Sequence, residues 1–164
     1  VLVGICGTRM SGNLFRSSVR DLSEFEASFY VAGGFEEAGF TIGEFRHLVM
    51  GGVAKCTTLE PGEAKVVGGL AEPALLMFIK GNCMVRGNCY PEGMSISARE
   101  FLGQDALGVQ DPLLSCPRMS CRLEATEETT MLEWDVAQLQ TMMKGDRKLR
   151  MKMFRMVTLS MADR

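Results

Sequence analysis

The residues best suited to chemistry lie between positions 101 and 121, FLGQDALGVQDPLLSCPRMSC, and the chemistry they suit is anion binding. Gly103 admits backbone angles closed to other residues, and Gln104, Asp105, Ala106 and Leu107 fit one helical turn whose free N–H groups attract an anion. Arg118 supplies the charge. A guanidinium presents its donors in a fixed fork that matches two phosphate oxygens, and Pro117 restricts the backbone leading to it. Ser120 and the amides near it add donors. No paired carboxylates and no nucleophile with a base accompany this cluster, so the sequence points to a non-enzyme; Glu127-Glu128 reads as a solvated turn. The single histidine, His47, has no ligand-spaced partner, and the six cysteines, Cys6, Cys56, Cys83, Cys89, Cys116 and Cys121, contain no Cys-x-x-Cys pair, so reduced thiols, no metal site and no cofactor are expected. The glycines of GICGTRMSGN, residues 4–13, lack the Gly-Lys-Ser/Thr ending of a phosphate loop.

A chain of 164 residues, 46% of them hydrophobic, is long enough for one domain with a real core. Its 18 basic and 20 acidic residues, net charge −2, give no overall field for nucleic acid or membrane, so an electrostatic partner must use a local patch. The longest apolar run, residues 74–79, is far below the roughly 18 residues of a membrane span. Residues 1–6 are apolar but short and lack a basic leader, so no signal peptide is expected, while the initial Val fits a fragment whose upstream membrane or catalytic domain is missing. The expected location is the cytoplasm, either alone or as the cytoplasmic portion of a larger protein.

Around the anion-binding stretch, three blocks must do the positioning. Residues 1–20 read as a peripheral segment, and residues 21–164 as the domain proper. Leu22, Phe25, Phe29 and Tyr30 recur at helical spacing and predict a helix over 23–32; Thr41 with Glu44 three residues on predicts the start of a second, over 42–50, with Phe45, Leu48 and Val49 inward. From about 53 to 134 the period shortens towards two. Strands are predicted near 53–58, 65–67, 75–79, 83–86, 94–97, 120–125 and 129–134, separated by turns such as Glu60-Pro61-Gly62-Glu63. Asp135 and Asp146 then cap two helices within 135–161, and Trp134 is placed to close the core where the strands meet them. The fold class predicted is mostly β with flanking helices: an antiparallel β-roll, a jelly-roll-like barrel, with N-terminal helices and two C-terminal helices.

The order of the residues in 101–121 resembles the phosphate-binding cassette of the cyclic-nucleotide-binding domains, where a Gly-Glu-x-Ala-Leu turn and helix is followed by Pro-Arg and two small residues. Here the matching residues read Gly103, Gln104, Asp105, Ala106, Leu107, then Pro117, Arg118, Met119, Ser120 and Cys121. The resemblance implies that Arg118 and the amide and hydroxyl of Ser120 face a cyclic phosphate and that Gln104 faces the ribose hydroxyl. Gln104 stands where the family carries an acid, and the loop 108–116 is longer than usual. The Pro61-Gly62-Glu63 turn and the strand ending at Gly81 also match the family. A subgroup, the Popeye-domain proteins, is similar in Phe101-Leu102, Phe29-Tyr30 and Trp134, although its Phe-Leu-Asp-Ser-Pro loop is replaced by Phe101-Leu102-Gly103-Gln104-Asp105. Close kinship with it would imply a membrane-anchored cyclic AMP effector whose spans lie outside this sequence.

The resemblance implies a regulatory module that binds a cyclic purine mononucleotide, cyclic AMP or cyclic GMP with the former favoured, with Val85 or Met94 against the base. Occupancy would be relayed through the C-terminal helices, which also offer a face to a protein partner. The alternative is a roll that has lost the ligand and serves as a protein interaction module. A third class is a calmodulin- or membrane-contacting helix over 144–155, basic and rich in Met, against which stands a charged face merely solvated on a helix packed to the roll.

Overall fold

Two capping boxes start the N-terminal helices in the computed structural model, which describes residues 22–68, 73–88, 90–109 and 120–162; the segment 1–20 lies outside them. At α1 (Glu24–Ala32) the Ser23 hydroxyl accepts from the Glu26 amide at 3.2 Å, and the Glu26 carboxylate accepts from the Ser23 amide at 2.9 Å. Thr41 and Glu44 repeat the arrangement at α2 (Ile42–Phe45), which runs on as a π-helical turn, Arg46–Met50, with Phe45, Leu48 and Val49 buried as predicted. Phe25 departs from the expected inward stripe. It is 57% exposed, because α1 turns Phe29 and Tyr30 into the core, and it lies instead against the Phe29 ring with centroids 4.5 Å apart.

Eight strands follow: β1 (Ala54–Leu59), β2 (Ala64–Val67), β3 (Ala74–Lys80), β4 (Asn82–Gly87), β5 (Tyr90–Ser97), β6 (Phe101–Leu102), β7 (Cys121–Ala125) and β8 (Thr129–Asp135). They make two antiparallel four-stranded sheets, ordered β1-β8-β3-β6 and β2-β7-β4-β5. This is the β-roll with flanking helices that the sequence predicts. β5 begins at Tyr90, four residues before the predicted strand. It is an edge strand, where Pro91 removes no ladder bond that the sheet needs.

The continuous apolar run of β3 has a geometric cause. Its side chains alternate between two cores, and both are buried. Leu76 and Phe78 point between the sheets, where they meet Val85, Ile96, Leu123 and Met131. Leu75, Met77 and Ile79 point the other way, into a larger core built with the helices. The sheet carrying β3 is therefore the middle layer of three, and its central strands β3 and β8 send apolar side chains to both faces.

The C-terminal helices close the third layer. Asp135 Oδ1 accepts from the Gln138 amide at 2.8 Å and opens α3 (Val136–Gly145); Asp146 Oδ1 accepts from the amides of Lys148 at 2.8 Å and Leu149 at 3.0 Å and opens α4 (Arg147–Ala162). Trp134 stands where predicted, fully buried at the end of β8, with its indole N–H donating to the Leu48 carbonyl at 3.0 Å. That bond ties the strand layer to the helix begun by Thr41. No helix among the described residues is long and apolar enough to cross a membrane.

Candidate functional site

The short strand β6 sets the start of the candidate turn. Leu102 registers opposite Leu76 and Phe101 opposite Met77, and the two side chains enter different cores, Leu102 between the sheets and Phe101 on the helix side. A one-residue slip would exchange them. The turn that follows must leave the sheet at once, and Gly103 allows it: its φ is +89°, and a Cβ there would lie 2.2 Å from the Ala74 carbonyl oxygen. The predicted helical turn is present as one 3-10 turn, Gln104–Leu107. Its amides are partly committed internally, Ala106 to the Gly103 carbonyl at 3.1 Å, Gly108 to Asp105 at 2.9 Å and Val109 to Gln104 at 3.3 Å.

Gln104 is buried at 1% exposure, and Leu107 is buried with it, whereas Asp105 and Ala106 are half-buried. A link absent from the sequence reading joins this turn to the last helices. Gln140 on α3 extends its Nε2 to the Ala106 carbonyl oxygen at 3.0 Å, while Leu107 and Val109 pack into the core that holds Trp134, Leu139 and Met143. The sequence carried a faint signal for it, a polar residue at helical spacing among Val136, Leu139 and Met143.

Of the other predicted site residues, Ser120 is exposed just before β7, and Cys121 opens that strand opposite Val67. Arg118 and Met119 lie outside the described residues, as does most of the loop 108–116. The structure thus brings 103–107 together on the middle sheet and starts Ser120-Cys121 on the other sheet, where a Cβ on Gly87 would come within 3.4 Å of the Ser120 carbonyl. Burial pushes the Cys121 thiol up to about 11, which makes it an apolar neighbour and not a nucleophile. Val85, expected near a ligand base, is fully buried in the core between the sheets, and Met94 lies half-buried at that core's margin. His47 is exposed.

A second unforeseen residue braces the entrance to β6. Arg99 adopts a left-handed conformation, φ +71°, and its guanidinium donates to the last carbonyls of α1, Ala32 at 3.1 Å and Val31 at 3.4 Å, and to Glu37 at 3.1 Å. Nothing in the sequence marks it.

No protein-family model matches the chain, and no curated protein sequence does. Solved structures do. A cyclic nucleotide-binding domain from Methylobacillus flagellatus is 14% identical, with 84% of this chain and 79% of that chain covered and a TM-score of 0.57. The sensor domain of the transcriptional regulator DNR from Pseudomonas aeruginosa is 10% identical over 82% of this chain and 91% of its own, TM-score 0.52. The N-terminal domain of a transcriptional regulator from Streptomyces coelicolor is 15% identical over 83% and 87%, TM-score 0.50. At such identities the likeness is one of architecture, and the chain has the fold seen in cyclic nucleotide-binding and sensor domains.

Proposed function

We propose that the chain is a regulatory, non-catalytic module that binds a cyclic purine mononucleotide, cyclic AMP before cyclic GMP, and passes occupancy to its C-terminal helices. The observation that carries this reading is the bond from Gln140 to the Ala106 carbonyl, because it connects the turn assigned to the ligand with α3. In this reading Arg118 and Ser120 take the phosphate, Gln104 takes the ribose hydroxyl, and Met94, at the margin of its core, is better placed than the fully buried Val85 to meet the base. Support comes from the cassette order in the sequence and from neighbours of the same fold whose names include cyclic nucleotide-binding and sensor domains. The Popeye-like features, Phe101-Leu102, Phe29-Tyr30 and Trp134, belong to the same reading. The ligand shifts α3 and α4 only to the extent that it binds one arrangement of them better than the other.

Calorimetric titration with cyclic AMP, followed by competition with cyclic GMP, tests it. Binding is expected, and Arg118→Ala is expected to weaken it roughly thirtyfold or more. Unchanged affinity in that variant overturns the site. Absence of binding, with no rise in melting temperature at millimolar cyclic AMP or cyclic GMP, transfers the assignment to the alternative, a protein interaction module that kept the roll without the ligand. What favours that alternative is Gln104, an amide where the cassette carries an acid.

A further inference from the structure

Helix α4 is built from two incompatible faces. Leu149, Met153, Met156 and Val157 are buried in the helix-side core. The rest of its surface, with the end of α3, presents Lys144, Arg147, Lys148, Arg150 and Arg155, all exposed, and no salt bridge among the described residues involves any of them. Lys152 is the exception, engaged with the Glu44 carboxylate at 2.6 Å. No acidic residue occurs within α4, and Asp146, just ahead of it, has its carboxylate occupied by the amides of Lys148 and Leu149. A chain of net charge −2 has therefore gathered six of its 18 basic residues into positions 144–155.

Two apolar side chains sit within this cationic field. Met151 is 61% exposed and Leu159 is 40% exposed. Lys148, Met151, Arg155 and Leu159 follow one another at three- and four-residue intervals, so they form a stripe about 17 Å long on one side of the helix.

We propose that this outer face of α4 docks on an anionic phospholipid surface. Three features choose that occupant. A one-signed face complements a negatively charged leaflet, whose field acts over about a Debye length. Exposed Met and Leu among long cationic side chains suit an interface in which the apolar atoms enter the headgroup boundary and the charged ends stay at the phosphates; a nucleic-acid backbone would use the cations and leave Met151 and Leu159 in water. Among the described residues the outer face is exposed while the inner face belongs to the core, so a flat surface fits where a protein that wraps a basic helix would have to strip α4 from the sheet.

Co-sedimentation of the whole chain with phosphatidylserine/phosphatidylcholine vesicles and with pure phosphatidylcholine vesicles tests the assignment. Binding is expected to the anionic vesicles alone, to fall as salt is raised, and to drop at least roughly tenfold in Arg147→Glu/Arg150→Glu. Arg147→Lys/Arg150→Lys, with the charge kept, is expected to bind as the parent does. Met151→Asp is expected to weaken binding, and Met151→Leu to preserve it. All these positions are exposed, and far-ultraviolet circular dichroism verifies that each variant is folded. Equal binding to both vesicle types, binding to neither, or indifference to the charge reversal overturns the proposal. Calcium-dependent retention on calmodulin without vesicle binding also overturns it and gives the face to an acidic protein.

Discussion

At Gly103 backbone and neighbour together leave no choice of residue. Gly103→Ala adds a methyl at a left-handed φ and aims it at the Ala74 carbonyl, so a loss of stability of about 1–3 kcal/mol is expected by urea denaturation. Gln140→Leu keeps the bulk of the side chain and removes the donor to Ala106. Its expected cost is about 0.5–1.5 kcal/mol, with a loss of amide protection at residues 108 and 109 in hydrogen exchange; unaltered protection would show that Gln140 does not hold the turn. The two residues differ in how far the sequence revealed them. A glycine opening a short turn announces a special backbone angle, whereas Gln140 shares its helical spacing with apolar neighbours, and a polar side chain facing a carbonyl is written the same way as one facing water. Gln104 was legible as a member of the turn, but its burial depends on neighbours that the sequence does not name.

Helix α1 is held at both ends by side chains from elsewhere. Glu26 closes the capping box and receives Arg46 Nε at 2.8 Å, and these bonds, the guanidinium first, hold its carboxyl down at about 2 from an ordinary value of 4.5. A depressed carboxyl contributes its full stabilisation above its unfolded value and loses it as pH falls towards the folded one. Parent and Glu26→Gln stabilities, measured by urea denaturation, should therefore differ most above pH about 5 and converge as pH falls towards 2; a gap independent of pH would rule out the linkage. At the other end Arg99 covers the last carbonyls of α1. Arg99→Ala is expected to leave the sheets intact and to speed exchange of the α1 amides, while acceleration spread over β3 and β8 would contradict so local a role. The helices themselves were readable because their caps are local: Ser23 with Glu26, Thr41 with Glu44, Asp135 and Asp146 all act within three residues. The strand β6 was not, since two residues cannot show a period.

The molecule has two cores and one shared wall. β3 and β8 contribute to both, Phe78 and Met131 to the space between the sheets, and Leu75 and Trp134 to the space beneath the helices. Neither core can dissolve without exposing the back of the other, so one calorimetric transition is expected, with its calorimetric and van't Hoff enthalpies equal; an excess of the former would mean that the helix layer melts separately. Truncating the wall's largest side chain, Trp134→Ala, should cost about 3–5 kcal/mol and affect both layers together. The class of fold was legible from short strands between helices. The order of those strands was not, because β1 pairs with β8, and such distant partners are chosen by burial across the whole chain and not by any local pattern.

Trp134 also gives the molecule an optical property. It is the only indole in the chain, it is fully buried two residues ahead of α3, and its N–H is fixed on the carbonyl of Leu48 in the core where α3 and the candidate turn meet. Its emission should accordingly be blue and narrow, and any displacement of the helices from the sheet would admit water to a single chromophore and redden the whole signal, so the protein carries its own label for the motion on which its proposed regulation depends.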